Sequence, residues 1–296
     1  MFKNVLVGVD GGPNGRDAVA LASRITEADG TITLAHVHSG ELHPSIAITP
    51  GMVKSEREAS EKLLAEERTA SEREVEILSI AATSPGRGLH QQAEEQDADL
   101  LLVGSCSHGA LGRAMLGDDT RAALNGAPCA VAIAARGYAA HDVPIANIGV
   151  GYNGSPESVA ALELVRRLAA LSGAKIHARE IVSIPTVAFT GLMPPLLGDS
   201  IDLMLGEAEA RMKVLQGVEG SVVYGLAGEE LAAFGAEMDI LVVGSRGYGP
   251  VKRLVLGSTS DYLERNARCS LLVLPRARES EAGKSEDRVE PASAVI

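Results

Sequence analysis

Short apolar runs alternate along this chain with longer segments in which apolar residues recur at helical spacing. The runs predict strands near 3–9, 31–37, 75–80, 99–104 and 129–134, then near 145–151, 175–181, 221–225, 239–244 and 269–274. Helical periodicity lies between them at 14–28, 52–73 and 86–96, and again at 156–172, 201–216 and 227–236. Near-continuous apolar strands separated by helices imply parallel strands buried on both faces, because each right-handed crossover lays its helix against the sheet. The expected class is therefore α/β, doubly wound.

The pattern occurs twice. "VLVGVDGGPNG" at 5–15 matches "NIGVGYNGSPES" at 147–158, "ADLLLVGS" at 98–105 matches "MDILVVGS" at 238–245, and "CAVAIA" at 129–134 matches "CSLLVL" at 269–274. Two copies make a tandem pair of domains, 1–137 and 143–276, and not a solenoid. The remaining stretch, 277–296, is polar, mixed in charge and without period, which predicts a disordered tail.

Composition narrows the function classes. The hydrophobic fraction is 46%, yet there is no Trp and only 3 Phe and 5 Tyr, a balance suited to close helix-on-sheet layers. No apolar run approaches the ~20 residues that span a bilayer, so no membrane segment is expected. The start "MFKNVLVGVDGG" runs directly into a strand pattern and lacks the parts of a signal peptide, which places the expected location in the cytoplasm. Cys106, Cys129 and Cys269 lack CxxC spacing, so neither a disulfide framework nor a zinc site is indicated. A net charge of −12 argues against nucleic acid as a partner. Any phosphate must be held in a local pocket.

One stretch offers such a pocket. In "VGSRGYGPVKRLVLGSTSDYL", residues 243–263, a strand end leads through a glycine-rich loop into a helix, at the carboxyl edge where open sheets bind ligands. Gly244, Gly247 and Gly257 let backbone N–H groups approach a ligand, and the helix after Ser258 presents unsatisfied donors and a partial positive charge. Arg246, Lys252 and Arg253 add charge, and no acid intervenes between Gly244 and Ser258. The same letters also suit a plain turn followed by an N-cap, with Ser258 and Asp261 as the capping pair. No GxxxxGK[ST] is present, and "GVGYNG" at 149–154 fits GxGxxG by chance, since its repeat partner has Leu6 where Gly149 stands.

These residues together resemble the universal stress protein family in its tandem form. The family's Gly-x2-Gly-x9-Gly-Ser/Thr loop is matched by Gly244, Gly247, Gly257 and Ser258, and the strand starts and ends quoted above extend the resemblance over most of the chain. What it implies is a Rossmann-like five-stranded parallel sheet of the adenine nucleotide alpha-hydrolase type, with ATP at its carboxyl edge and Mg²⁺ as an optional companion. By that similarity Gly257, Ser258, Thr259 and Ser260 receive phosphates, and Gly244 and Gly247 run along the ribose and phosphates. Val243, Ser245 and Arg246 belong to the same candidate set. Gly151, Tyr152, Asn153 and Ile181 frame the nucleoside, with Asn153 where the family commonly has Asp. The resemblance further implies pairing of the two domains through their last strands, 129–134 and 269–274, as an intramolecular pseudo-dimer. A homodimer of whole chains is left open.

The first loop, "VGSCSHGALGRAMLGDDTR" at 103–121, keeps Gly104 and Gly117 but has Ser107 for the middle glycine and Asp118 for the final serine. Asp118 remains a good cap, so the fold loses nothing. A carboxylate about 4 Å from a phosphate repels it by roughly 4 kcal/mol at an effective dielectric of 20, so the phosphate seat is expected to be closed. Asp118 and Asp119 could instead hold Mg²⁺, although paired acids at a helix start are more simply caps. Asp10 and Val37 still match the nucleoside positions. His36, His38 and His43 lack the acid cluster of a metal site, and "SEREASEKLLAEERTASERE" at 55–74 reads as a solvated helix face. The intact loop contains no evident general base, so an ATP-binding regulatory module is favoured over an ATPase or adenylyl-forming ligase. A nucleotide-free scaffold is the third reading.

Overall fold

The computed structural model describes residues 2–39, 50–105, 125–141, 144–183, 197–245, 254 and 257–275. The first half runs β1 (Phe2–Gly8), α1 (Pro13–Ile25), β2 (Thr26–Ser39), α2 (Pro50–Ala70), β3 (Glu76–Ala82), α3 (Pro85–Glu95), β4 (Leu100–Gly104) and β5 (Ala130–Ala134). The second runs β6 (Asn147–Gly151), α4 (Pro156–Ser172), β7 (Lys175–Val182), α5 (Leu197–Lys213), β8 (Glu219–Tyr224), α6 (Ala227–Gly235), β9 (Ile240–Gly244), α7 (Ser258–Asn266) and β10 (Ser270–Leu274). The expected tail and the first loop beyond Ser105 lie outside the described residues.

Within each half the strands are parallel, ordered β3-β2-β1-β4-β5 and β8-β7-β6-β9-β10. Side chains alternate between the two faces as strand geometry requires. Val5 and Val7 face one core layer with Leu21 of α1, Leu64 of α2 and Val165 of α4, while Leu6 faces the other with Leu89 of α3, Leu231 of α6 and Leu263 of α7. This is the doubly wound arrangement. The halves join through an antiparallel pair, Leu271↔Ile133, Leu272↔Ala132 and Val273↔Val131, so all ten strands form one sheet. Cys129 and Cys269 mark equivalent positions 140 residues apart, which maps Ala132 onto Leu272, its own partner. The junction is therefore locally two-fold symmetric. Both core layers cross it without a break, with Val131, Ile133, Leu271 and Val273 in one and Ala132 and Leu272 in the other.

The helix expected over 14–28 ends instead at Ile25, and β2 begins at once. The cause is Arg73, forty-odd positions downstream, whose guanidinium donates to the carbonyls of Ser23, Thr26, Glu27, Ala28 and Gly30, the shortest being 2.8 Å to Glu27. It satisfies the Ser23 carbonyl in the last turn of the helix and carbonyls of the residues just beyond it, which the end of a helix leaves without internal partners. Thr26 pairs with Phe2, and the register shifts before Asn4 meets Thr31.

Further contacts secure the chain on either side of β5. Asp17, buried at 3% exposure on α1, accepts the Gly137 amide at 2.7 Å and the Ala139 amide at 2.8 Å, pinning a single 3-10 turn, Tyr138–Ala140, just after β5. The Arg24 guanidinium lies 5.1 Å from the Tyr138 ring centre over the same turn. Leu254, fully buried, accepts from the Gly126 amide and donates to the Ala127 carbonyl, each at 2.9 Å, so the second loop is anchored on the first half.

Replacing Asp17 by Ala leaves two amides without their acceptor, and urea unfolding of the variant is expected to show a loss of about 1–3 kcal/mol. Burial pushes the Cys129 and Cys269 thiols up to about 12, so both stay protonated and unreactive at pH 8. In a Cys106→Ser background, a thiol reagent at pH 8 is expected to modify neither in the native state and both after denaturation. Rapid labelling of the native protein would contradict this packing.

Candidate functional site

The site is assembled from chain reversals at the carboxyl edge of the second half. After β6, the Tyr152 amide continues the ladder to the Arg179 carbonyl at 3.0 Å, and the chain then turns through Gly154 at φ +77°. The Asn153 side-chain carbonyl accepts the Ser155 amide at 3.1 Å, and Ser155 caps α4 ahead of Pro156. In the first half Asp10 accepts the Gly12 amide at 2.9 Å, Gly11 has φ +76° and Pro13 opens α1. Asp and Asn thus perform the same turn-forming bond, so the change at this position leaves the backbone as it was.

Beneath that turn, Glu180 of β7 and Arg211 of α5 form a two-pronged ion pair, 2.6 Å and 3.2 Å. Glu180 is buried, and its hydrogen bonding and charge hold the Arg211 guanidinium above its ordinary pKa. A Cβ on Gly154 would lie 3.2 Å from Arg211 Cδ, while in the first half the Gly11 position abuts Leu63. The turn is braced by charge in one half and by an aliphatic side chain in the other.

The glycines at the ends of β4 and β9 are required by packing. A Cβ on Gly244 would stand 2.7 Å from Glu157 Cβ, and one on Gly104 would stand 2.0 Å from the Asn14 carbonyl oxygen. In each half, the first turn of a helix presses directly on the strand end. The third glycine, Gly257, is the N-cap of α7, and its amide donates to Ser260 Oγ at 2.8 Å while that hydroxyl donates back to the Gly257 carbonyl. The capping pair is therefore Gly257 and Ser260, not Ser258 and Asp261. Asp261 instead pairs with Arg265 at 2.9 Å, one turn along the helix.

These elements enclose a cavity of about 340 Å³. Gly151, Tyr152 and Asn153 reach it from the first turn, Ile181 from β7, Val243, Gly244 and Ser245 from β9, and Gly257, Thr259 and Ser260 from α7. Ser258 is exposed and does not line it. Arg246 and Gly247, with Lys252 and Arg253, lie outside the described residues, as do Ser107, Gly117, Asp118 and Asp119 of the first loop. Sequence reasoning missed Ser155, Glu157 and Ser158 at the start of α4, Arg179 on β7, and Ala227 and Leu231 on α6. The "SPES" cap signature could have revealed the α4 start; nothing local in the sequence indicates the α6 contribution.

One wall of the cavity is apolar, built by Ile181, Ala227, Leu231 and Val243. Across it two helix N-termini, of α4 and α7, bring partial positive charge to the same space; α4 opens with Pro156, which has no N–H, and its Ser158 amide is held by Ser155 Oγ, so N–H donors come chiefly from α7. Glu157 contributes a carboxylate. Arg179 also lines the cavity, but its guanidinium is turned to residues outside it: Nε donates to Ser221 Oγ at 3.1 Å and the guanidinium carbon lies 4.4 Å from the Phe234 ring centre. Of the histidines, His36 Nδ1 donates to the Val9 carbonyl at 2.8 Å and His38 Nδ1 lies 3.2 Å from the Ser39 carbonyl. Among the described residues, no three His, Cys, Asp or Glu side chains gather as metal ligands, and no helix is long and apolar enough to cross a membrane.

Two parallel α/β units with strand order 3-2-1-4-5, each placing its first helix start against the end of its fourth strand, define a tandem Rossmann-like protein. The chain belongs to the universal stress protein family, which matches it twice, over residues 1–135 and 144–275. A universal stress protein of Mycobacterium tuberculosis is 26% identical over 307 aligned positions, covering 92% of this chain and 99% of that one. A shorter one from Thermus aquaticus is 30% identical over 134 positions, covering 44% of this chain and 97% of its own. The crystal structure of a universal stress protein from Archaeoglobus fulgidus superposes with a TM-score of 0.64 at 18% identity, covering 93% of this chain and 98% of that one, and shares the fold.

Because Gly104 faces a backbone oxygen and Gly244 a side-chain carbon, Gly104→Ala is expected to destabilise the protein more than Gly244→Ala. Overpacking of this kind costs about 1–3 kcal/mol or more, read by denaturant unfolding without any ligand. Equal, negligible losses would show that the helix starts do not press on the strand ends.

Proposed function

We propose that this stress-response protein binds one ATP per chain in the cavity of its second half, and acts as a nucleotide-dependent regulator with at most slow hydrolysis. The observation that carries the reading is the convergence of two helix N-termini on a cavity whose opposite wall is apolar. A purine needs apolar surface, supplied by Ile181, Leu231 and Val243. A triphosphate needs donors and positive potential, supplied by the first turn of α7, by the Thr259 hydroxyl and by the positive ends of both α4 and α7. Ser260 contributes by shaping the loop, since its hydroxyl is engaged by Gly257. Arg246, Gly247 and Ser258 enter on the sequence resemblance.

Glu157 gives the same cavity a carboxylate, which opposes a polyanion unless a divalent cation accompanies it. Mg²⁺ bound with the nucleotide would supply that compensating charge. Glu157 is also the one acid among the described residues lining the cavity, which favours a second reading, a true ATPase with Glu157 as general base. The two readings separate in one experiment. Steady-state phosphate release well above about one per minute, abolished in Glu157→Gln, would establish the enzyme. The regulatory reading expects slower release, and in Glu157→Gln a severalfold gain in affinity for ATP measured in EDTA.

Calorimetric titration is expected to give a stoichiometry near one, with Ser258→Asp weakening binding by more than about tenfold through like-charge repulsion. Two equal sites would overturn the assignment to the second half. The triple variant Ser107→Gly, Asp118→Ser, Asp119→Thr, made in the Ser258→Asp background, is expected to regain a site, more strongly at low salt than at high. If that protein stays empty at millimolar ATP, the first half is closed by shape and not by charge.

A further inference from the structure

A second cavity, about 480 Å³ in volume, opens at the amino-terminal edge of the second half's sheet, where β6 and β8 begin and α6 ends. It is independent of the nucleotide reading, although Arg179 stands in the wall between the two cavities. The guanidinium is fixed in place: Nε is tied to Ser221 Oγ, and the group lies over the Phe234 ring. Neither terminal nitrogen is used, because Arg179 forms no ion pair with any described residue. A stacked guanidinium pinned through one nitrogen is pre-organised to meet a carboxylate with the other two.

The charges around it decide what could enter. His177 and Glu219 satisfy each other, with Nδ1 3.3 Å from the carboxylate, and Asn147 lies 3.1 Å from the other ring nitrogen. Glu237, on the rim after α6, has no ion pair among the described residues. One cation and one carboxylate therefore line the same cavity without pairing with each other. A simple anion reaching Arg179 would meet the field of Glu219 and Glu237, and a simple cation drawn to Glu237 would meet Arg179. Phe234 and Met238 supply an apolar wall. The first half has no such set: Ala35 pairs with Leu78 at the register position where Arg179 pairs with Ser221.

We propose that this cavity is a binding site for a small zwitterion of the α-amino-acid type, its carboxylate held by Arg179 and its ammonium group by Glu237. The test uses the full-length protein, with each of the common L-amino acids titrated singly by calorimetry and ligand-observed NMR. Succinate and putrescine serve as probes carrying one sign of charge only. At least one amino acid is expected to bind, with Arg179→Gln and Glu237→Gln each weakening it by about tenfold or more. Succinate and putrescine are expected neither to bind nor to compete. Glu237→Gln, remote from the other cavity, is expected to leave ATP affinity unchanged. The proposal is overturned if no amino acid binds at millimolar concentration, if succinate or putrescine binds as well, or if Glu237→Gln has no effect. No nucleotide is present in the amino-acid titrations, so failure of the ATP reading would not be mistaken for failure of this one.

Discussion

The antiparallel pair between β5 and β10 is the constraint on which the rest of the architecture depends. Each half alone would end its sheet in a largely apolar strand, Ala130–Ala134 or Ser270–Leu274, with a row of unpaired backbone groups. Such an edge is an invitation to aggregate. Placing the two edges against each other removes both and moves the free edges of the sheet to β3 and β8, which begin with Glu76 and Glu219 and carry partly exposed side chains. It also fuses the core layers, so the first half supports the second whatever becomes of its own loop.

The scaffold also accounts for the glycines and caps that recur in both halves. Gly104 and Gly244 each make room for the first turn of a helix, and Asp10 and Asn153 each close a turn through the same side-chain oxygen. These features belong to the scaffold. What the second half adds to that scaffold is the Ser and Thr side chains at two helix starts and an apolar wall completed by α6.

Much of this was legible in the chain. Strand runs such as 99–104 and 239–244 were unmistakable because burial on both faces makes every position apolar, and their recurrence fixed the tandem repeat. Of the residues to which the family resemblance pointed, Gly151, Tyr152, Asn153, Ile181, Gly244, Gly257, Thr259 and Ser260 line the cavity, while Ser258 does not. What was not legible was set by contacts between distant positions. Arg73 ends α1 and Asp17 holds the turn after β5, yet each sits in a helical or polar context that gives no local sign of it. Glu157 and Leu231 enter the cavity because whole helices deliver them there. The capping pair was misplaced by one residue, since glycine can cap a helix when a serine three positions later closes the ring.

The two halves share one continuous chain, with the turn after β5 held by Asp17 and the approach to β5 held by Leu254, and this has a consequence for how the two units behave in dilute solution. A pair of separate chains joined by the same strands would fall apart as concentration dropped, and its two sites would have to be identical. Covalent linkage replaces that bimolecular equilibrium with a fixed effective concentration, on the order of millimolar for short connections. The assembly therefore survives at any expression level. One unit is free to drift in sequence while remaining the obligatory neighbour of the other.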